Sequence, residues 1–563
     1  MHMGCSPYGN PVRRNERDLP QVDALGGRLN ELLRFLCGQH YDVDLGDETL
    51  IERSGMAEQG LLSIERASYP VVVLPEIETV YPSTFRLLKE FKEQGGTLIL
   101  YKTVPSRLSG EPDEKVREFF QGCSLVPDET QLVSLLERVV PRPLSITEGA
   151  RQCPWVITQV REDGKRVIAF AANNDRLEAH RLHFAPIWRG SVTRIDPFSG
   201  EQEQVQVHSD GSWDEEVEPT GSRLYLIDTG KAGETDFVER NPDYLGSLAL
   251  AGPFRYRLDQ PNVLTLDRCS YRLEDGPWSS VMEIWQAQEE VRRALGMVSL
   301  LDDEIAQRYT WDRKPHPNDG KKLSLRYHVI LSADLPLTLV VEDARLFQVM
   351  VDGKPVSMVP NGYFLDRSFE KVGLGTIKSG IHELVLTCSY TNAMELENIY
   401  LVGVFGVDGQ RVLGSLPATL SIGSWCGQGL FHYPGSVCYQ SDFTARKTKA
   451  LYLSLPAWKA TMVTVVLNGT SFELPYPGLG GVDLSGAVQE GENHLSIRLW
   501  GSMRNMMGPL HLPQEPEMTG PGSFTTKGES GYHLLPYGLM ESPVLLFDGI
   551  VSGQPEKERA DDC

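Results

Sequence analysis

Apolar and polar residues follow different periods in successive parts of the chain. Leucines recur at helical spacing between residues 29 and 36. Unbroken apolar runs follow at Val71–Leu74 and Thr97–Tyr101, separated by a helical pattern and a glycine pair. Such runs are typical of strands buried on both faces of a parallel sheet. The order of helix, glycine stop and strand predicts an α/β domain, with these two runs as neighbouring central strands.

Strict alternation begins after residue 145. Val156, Thr158 and Val160 alternate with polar residues, and a second alternating run covers residues 224–227. Turn residues separate these runs, which predicts a small all-β domain. The following stretch carries many charges and little regular pattern, and we interpret it as a connector.

Two segments of the last third share one pattern. An apolar strand ends at Asp352-Gly353 in the first segment and at Asn468-Gly469 in the second. Asx-Gly pairs are the residues that tight hairpin turns require. A later glycine, Gly380 or Gly491, starts another alternating strand in each segment. This internal repeat predicts two related β-sandwiches.

The patterns together predict a multidomain, mainly β chain with six successive parts. These are an α/β domain at 1–145, an all-β domain at 146–232, a connector at 233–318, a first sandwich at 319–415, a second sandwich at 416–550 and a disordered tail at 551–563.

The charge balance restricts the classes of partner. The chain has 54 basic and 76 acidic residues and a formal net charge of -22. An acidic surface repels nucleic acids and anionic lipids, while neutral molecules such as sugars remain compatible with it. No apolar run approaches the roughly 20 residues of a membrane helix. We therefore predict no nucleic-acid and no membrane partner.

The nine cysteines are an odd number without C-x-x-C spacing, so we predict free thiols, no metal site and no cofactor. The residues after Met1 lack the apolar core of a signal peptide. A cytoplasmic location is expected if Met1 is the authentic start. If the chain begins inside a longer protein, no location is implied.

Several motifs resemble those of glycoside hydrolases. The residues Asn468-Gly469, Asp483-Leu484 and Gly491–Ile497 are similar to the galactose-binding-like sandwich of β-galactosidases and β-glucuronidases. The wider block, with Trp425–Gly429 and Met503–Pro509, resembles the C-terminal region of large α-L-rhamnosidase-type enzymes. The resemblance implies that both sandwiches are galactose-binding-like.

The front domain resembles the glutamine-amidotransferase-like accessory domain of β-galactosidases. The motifs Tyr41–Asp44, Tyr69–Leu74 and Gly95–Ile99 carry this resemblance. It implies a flavodoxin-like fold for the α/β domain. Enzymes of this kind place catalysis on a (β/α)₈ barrel of at least about 200 residues. No segment of that length precedes the first predicted helix, and nothing matches the catalytic carboxylates of such a barrel.

The resemblance therefore implies an accessory, carbohydrate-binding portion of a glycoside hydrolase that acts on plant or microbial glycans, without its own barrel. One alternative is a working glycosidase, rhamnosidase- or galactosidase-like, completed by a missing or separate barrel. A second alternative is a non-enzymatic structural or interaction protein. The expected partner is a carbohydrate, with a barrel domain or a second copy of the chain as further partners. No catalytic residue is predicted.

Five residues are candidates for sugar binding. Trp425, Tyr433 and Tyr439 lie in a glycine-rich segment, and aromatic faces stack on sugar rings. Glu395 and Glu397 are two residues apart, so on a strand they would share a face. The alternatives are that the aromatic residues belong to the sandwich core and that the glutamates cap backbone amides in a turn.

Overall fold

Two compact units make up the chain, Met1–Arg240 and Asn241–Cys563. The computed structural model describes residues 19–197, 200–231, 244–299, 314–474, 480–513 and 521–553, with the backbone alone for residues 19–23, 521 and 522. Strands far exceed helices in these residues, so the protein is mainly β, as predicted. None of the helices in these ranges is long and apolar enough to cross a membrane.

The first unit begins with an α/β layer structure. Its helices are Leu19–Gly38, Glu48–Ser54, Pro82–Glu93, Glu114–Gln121 and Glu129–Val139. Its strands are Gly55–Glu58, Leu61–Ile64, Ala67–Tyr69, Val71–Leu74, Thr79–Val80, Thr97–Tyr101, Arg107–Leu108, Glu111–Pro112 and Ser124–Val126. Asp47, Asp113 and Asp128 precede three of the helices, and their carboxylates accept hydrogen bonds from the first free backbone amides.

The two apolar runs pair in parallel, as predicted. Val71 pairs with Thr97, and Ser124–Val126 adds to the other side of Thr97–Tyr101. Helices cover both faces of this sheet: Ile99 packs with Leu32 and Leu132 on one face, and Leu98 and Leu100 pack with the opposite helices.

The predicted central position is wrong for one of the two runs. Within the described residues Val71–Leu74 is an edge strand of this sheet, and only its last residue is fully buried. The antiparallel ribbon over residues 55–69 pairs with itself rather than extending the sheet beyond Val71–Leu74. An apolar run indicates that helices cover both faces of a strand, but it does not indicate whether the strand is central or at the edge of the sheet.

The second part of the first unit is a small antiparallel β-sandwich. One sheet contains Leu144–Glu148, Arg151–Gln152, His180–Pro186 and Trp213–Val217. The other contains Val156–Asp163, Arg166–Asn173, Ser191–Ile195, Gln202–Val205 and Ser222–Asp228. Phe184, Trp213 and Tyr225 pack against one another in its core.

The second unit contains two larger sandwiches. In the first, one sheet has Asn262–Leu266, Leu335–Glu342, Tyr363–Phe364, Asp366–Ile377 and Ile399–Gly403. The facing sheet has Arg268–Leu273, Met282–Glu283, Lys321–Leu331, Gln348–Val351, Lys354–Val356, Gly380–Tyr390, Gly406–Val407 and Val412–Gly414. The 3-10 helix Ala344–Leu346 and the α-helix Ile284–Leu295 belong to this sandwich.

In the second sandwich, one sheet has Gly246–Ala249, Leu451–Ser454, Gly481–Asp483 and Val544–Phe547. The facing sheet has Arg255–Leu258, Ser436–Arg446, Met462–Leu467, Thr470–Leu474, Gly491–Trp500 and Ile550–Gly553. The short elements of this part are Trp425–Gln428, Trp458–Lys459, Arg504–Met507, Pro521–Thr525 and Gly538–Leu539.

The two sandwiches share one strand order, which confirms the predicted repeat. The turns at Asp352-Gly353 and Asn468-Gly469 occupy equivalent hairpins, and all four residues have positive φ, as a type I′ turn requires. The turn carboxylate of Asp352 accepts a hydrogen bond from the Glu383 amide at 2.9 Å. The Asn468 side chain accepts the equivalent bond from His494, also at 2.9 Å.

The first sandwich interrupts the second. Gly246–Ala249 pairs with Val544–Phe547, and Arg255–Leu258 pairs with Ser436–Arg446, whereas the next strand, Asn262–Leu266, already belongs to the first sandwich. The segment 233–318, interpreted as a connector, therefore supplies strands to both sandwiches. Its partners are remote in sequence, so local patterns did not reveal them.

The end of the chain also differs from the prediction of a tail at 551–563. The strand Ile550–Gly553 pairs with Ser436–Arg446. The remaining residues of the predicted tail lie outside the described residues.

A buried ionic network joins the two sandwiches. Asp267 of the first sandwich accepts hydrogen bonds from His511 and from the Tyr532 hydroxyl, both at 2.7 Å. Arg411 lies 3.3 Å from the same carboxylate. The other ring nitrogen of His511 faces the Gly531 carbonyl at 2.7 Å. Both nitrogens of His511 thus face oxygen atoms, an arrangement that favours the doubly protonated ring.

The network favours the charged forms of both His511 and Asp267. Burial alone would lower the pKa of His511, but the hydrogen bonds to Asp267 and Gly531 outweigh it, and the pKa is raised. Burial alone would raise the pKa of Asp267, but His511, Arg411 and Tyr532 outweigh it, and the pKa is lowered.

These directions predict how stability depends on pH. The raised pKa of His511 adds stability that is complete below the unfolded value of about 6.5 and is lost as the pH rises through the folded value. The lowered pKa of Asp267 adds stability that is complete above about pH 3.9 and is lost as the pH falls through the folded value.

We expect His511→Gln to lower the free energy of unfolding by about 3–5 kcal/mol near pH 5 and by less at high pH. Urea unfolding of both proteins from pH 4 to 9 measures this difference, and a difference that grows with pH would contradict the ionic interpretation.

Candidate functional site

Four acidic residues from two segments line a cleft at one end of the first sandwich. Glu342 is the last residue of Leu335–Glu342, and Asp343 follows it. Glu395 and Glu397 precede the strand Ile399–Gly403. These two strands pair antiparallel, so the end of one lies beside the start of the other. Strand pairing therefore brings the two acidic segments together.

The turn after Glu342 has an unusual backbone conformation. Asp343 has φ 47° and ψ 53°, in the left-handed region that aspartate adopts more readily than most residues. The chain then enters the 3-10 helix Ala344–Leu346, and the Ala344 amide donates to Glu370 at 2.8 Å. This bond from the neighbouring strand holds the turn at the edge of the cleft.

Buried polar side chains of the helix Ile284–Leu295 hold the second acidic segment. Arg292 is 1% exposed and donates to the side-chain oxygen of Asn392 at 2.7 Å and to its carbonyl at 3.2 Å. Gln288 is 2% exposed and accepts a hydrogen bond from the Leu396 amide. Asn392 and Leu396, on either side of Glu395 in the sequence, are thus hydrogen-bonded to buried side chains of the helix.

The cleft has an apolar inner wall and an acidic rim. Its volume is about 400 Å³. The inner wall consists of buried core side chains, namely Leu325, Val341, Leu386, Leu396 and Ile399. The four acidic residues are exposed, and half-buried Phe347 also lines the cleft. The combination offers hydrogen-bond acceptors next to an apolar surface.

The carboxylates influence one another. Partial burial raises the pKa of Glu342, and the charges of Asp343, Glu395 and Asp366 raise it further, against an opposing hydrogen bond from Ser368. Burial raises the pKa of Tyr400, with smaller contributions from Glu397 and Glu342. A group that donates hydrogen bonds to these carboxylates would stabilise their ionised forms.

The predicted aromatic residues lie elsewhere. Trp425 and Tyr433 are 0% exposed and Tyr439 is 1% exposed, all in the core of the second sandwich. Trp425 stacks on Tyr537 at 5.6 Å between ring centroids and meets Tyr433 edge-on at 6.3 Å.

This burial corrects the prediction that Trp425, Tyr433 and Tyr439 bind a sugar. A covered ring has no free face to offer a sugar, and the packing alternative accounts for all three positions. Positive φ at Gly423 and Gly429 lets the backbone turn back so that the segment packs onto the core.

Glu395 and Glu397 were identified from sequence, whereas Glu342, Asp343, Gln288 and Arg292 were missed. The acidic pair at 342 and 343 follows directly after an apolar strand, which is a usable signal. Gln288 and Arg292 lie four residues apart on one helix face, in a segment interpreted as a connector.

No family model matches the sequence, and no curated protein matches it significantly. Several solved structures resemble parts of the chain, and glycoside hydrolases are prominent among them. A rhamnosidase from Novosphingobium sp. PP1Y is 13% identical, with a TM-score of 0.40, over 88% of this chain and 35% of the rhamnosidase.

Two further neighbours are more distant. An α-L-rhamnosidase from Streptomyces avermitilis, in complex with L-rhamnose, is 10% identical with a TM-score of 0.19, over 73% of this chain and 40% of the enzyme. A β-porphyranase from Bacteroides plebeius is 14% identical with a TM-score of 0.12, over 44% of this chain and 36% of the enzyme. The chain therefore spans well under half the length of each enzyme. With TM-scores below 0.5, these similarities assign no activity to it.

The burial of Trp425 generates a stability prediction. Trp425→Ala should lower the free energy of unfolding by about 3–5 kcal/mol, because it leaves a large cavity in the core. Trp155 is 52% exposed, and Trp155→Ala is the matched control that should cost far less. Urea unfolding followed by circular dichroism measures both. An unchanged midpoint for Trp425→Ala would mean that the ring is not a core residue.

Proposed function

We propose that this chain is a carbohydrate-binding accessory portion of a glycoside hydrolase and that the cleft at the end of the first sandwich receives the sugar. The observation that carries the proposal is the acidic rim of Glu342, Asp343, Glu395 and Glu397 above an apolar inner wall. A sugar presents hydroxyl donors and apolar C–H faces on the same ring. The cleft presents the complements of both.

The chemistry of each contact is simple. An ionised carboxylate only accepts hydrogen bonds, so sugar hydroxyls are suitable partners for the rim. Half-buried Phe347 and exposed Leu346 supply apolar contact area. A volume of about 400 Å³ lies within the usual range of small-molecule sites.

The finer fold assignments belong to the same proposal. Helices on both faces of a parallel sheet support a flavodoxin-like, amidotransferase-like accessory domain. The common strand order of the two sandwiches supports galactose-binding-like modules. The part of the chain that the structure describes contains no closed eight-stranded parallel barrel, which supports an accessory role.

A second candidate function is a glycosidase completed by a barrel from elsewhere. Glycoside hydrolysis uses two carboxyl groups, one with a raised pKa. Glu342, with its raised pKa beside Glu395, is the specific observation that favours this candidate.

The binding proposal predicts a loss of affinity when the rim is neutralised. Glu395→Gln/Glu397→Gln should weaken glycan binding at least tenfold, because an amide replaces one acceptor oxygen with a donor and removes the charge. The wild type is first screened on a glycan array that includes rhamnosides and galactosides. Titration calorimetry of the best ligand then compares the variants.

The matched control is Glu473→Gln/Glu541→Gln, which neutralises two exposed glutamates of the second sandwich. It should bind as the wild type does. Equal affinity of the rim variant and the wild type would remove the cleft from the proposal, and no binding to any glycan would overturn the proposal.

The accessory role predicts that the chain alone does not hydrolyse nitrophenyl glycosides, rhamnosides and galactosides included. The expected rate is that of the buffer blank. Turnover that disappears in Glu342→Gln or Glu397→Gln, with folding intact by circular dichroism, would favour the glycosidase instead.

A further inference from the structure

Two imidazoles and one carboxylate meet on the surface of the small β-sandwich in the first unit. His183 Nδ1 lies 2.8 Å from Asp214 Oδ1, and His208 Nε2 lies 2.8 Å from Asp214 Oδ2. The two rings are nearly parallel, with centroids 6.0 Å apart. One ligand atom from each residue lies within 4.8 Å of the other two. This cluster is remote from the acidic cleft in sequence and belongs to the other unit.

The scaffold holds the three side chains in place. His183 and Asp214 are directly opposite each other on paired antiparallel strands, which places their side chains on one face. His208 lies in the turn before the second strand, where its amide donates to Ser212 at 2.7 Å and its carbonyl accepts from Gly211 at 2.9 Å. These two backbone hydrogen bonds hold the turn in the conformation that places the His208 imidazole beside Asp214.

The donor set matches that of a borderline divalent metal. Zinc binds imidazole nitrogen and carboxylate oxygen at about 2.0–2.2 Å, so its ligand atoms lie about 3.3 Å apart in a tetrahedral site. Each imidazole nitrogen lies 2.8 Å from a different oxygen of the Asp214 carboxylate. A metal ion held by both oxygens would require these nitrogen–oxygen distances to increase only slightly.

We propose that His183, His208 and Asp214 form a site for a divalent transition metal, with Zn²⁺ as the reference ion and water in the remaining position. All three side chains are at least 40% exposed, so an ion can enter from solvent. Their sequence spacing follows no common ligand motif, which is why the sequence predicted no metal.

A second cluster in the same sandwich is less suited to a metal. Glu148 and Asp175 lie on opposite sides of the His180 ring, 3.2 Å from Nδ1 and 3.4 Å from Nε2. Cys153 completes this cluster, but it is 2% exposed and burial raises the pKa of its thiol. A ring held between two carboxylates over a protonated thiol is adequately explained as a structural contact.

The test uses the full chain without an affinity tag. Titration calorimetry with ZnCl₂ should show one site per chain, and His183→Gln, His208→Gln and Asp214→Asn should each weaken it at least tenfold. The matched control is His494→Gln, which removes an exposed imidazole from a pair with Asp442 and should bind zinc as the wild type does. Circular dichroism verifies that each variant is folded.

Cobalt(II) distinguishes this site from the free cysteines. Co²⁺ bound by nitrogen and oxygen shows visible d–d bands without the near-ultraviolet charge-transfer band of a thiolate ligand. Visible bands lost in Asp214→Asn support the proposal. A thiolate band, or zinc affinity equal in the wild type and in the three single variants, overturns it.

Discussion

The buried carboxylate of Asp267 is the interaction on which the arrangement of the second unit depends. One sandwich is inserted between two strands of the other, so the chain crosses between them twice, at residues 258–262 and again before Ser436–Arg446. Two crossings leave the sandwiches tethered, and directional contacts add to the apolar packing of Met506 against the inserted sandwich. Asp267 supplies these contacts by binding His511 and Tyr532 of the enclosing sandwich.

The same end of the inserted sandwich carries the cleft. Asp267 follows Leu266, which pairs with Ile399, and Ile399 lines the cleft. Thr265 donates from its hydroxyl to the Met506 carbonyl at 2.8 Å, a second contact with the enclosing sandwich at this end. The protein interior is densely packed, so a displacement of one buried residue is passed on to its neighbours. Residues that contact the enclosing sandwich and residues that line the cleft are therefore neighbours in one sheet.

Features of the fold that depend on adjacent residues could be predicted from the sequence, whereas features that depend on distant residues could not. The hairpins at Asp352-Gly353 and Asn468-Gly469 were identified because positive φ is encoded by the two turn residues themselves. The strands Gly246–Ala249 and Arg255–Leu258 were missed because each has four residues and a partner far away in sequence: Gly246 pairs with Phe547, and Arg255 pairs with Gln440. The inserted sandwich separates strands that pair in space, so they are no longer neighbours in the sequence.

In the candidate site, too, only the residues close together in the sequence were predicted. Glu395 and Glu397 stand out as a pair in one segment, but Glu342 joins them only through pairing of Leu335–Glu342 with Ile399–Gly403. Trp425 was misjudged because composition alone does not tell a ring that covers a core from one that faces solvent. Glycine-rich segments serve both cases, since they allow a backbone to approach a ligand or its own core.

Under the proposed function, the charge of the cleft restricts which glycans would suit it. Four carboxylates face the opening, and the whole chain has a formal net charge of -22. A sulfated or uronic-acid glycan would bring like charges to within a Debye length, about 8 Å at physiological salt, of this rim. A neutral glycan avoids that repulsion and donates its hydroxyl protons to the same carboxylates. The like charges that surround Glu342 would therefore favour neutral sugars over anionic ones at the proposed site.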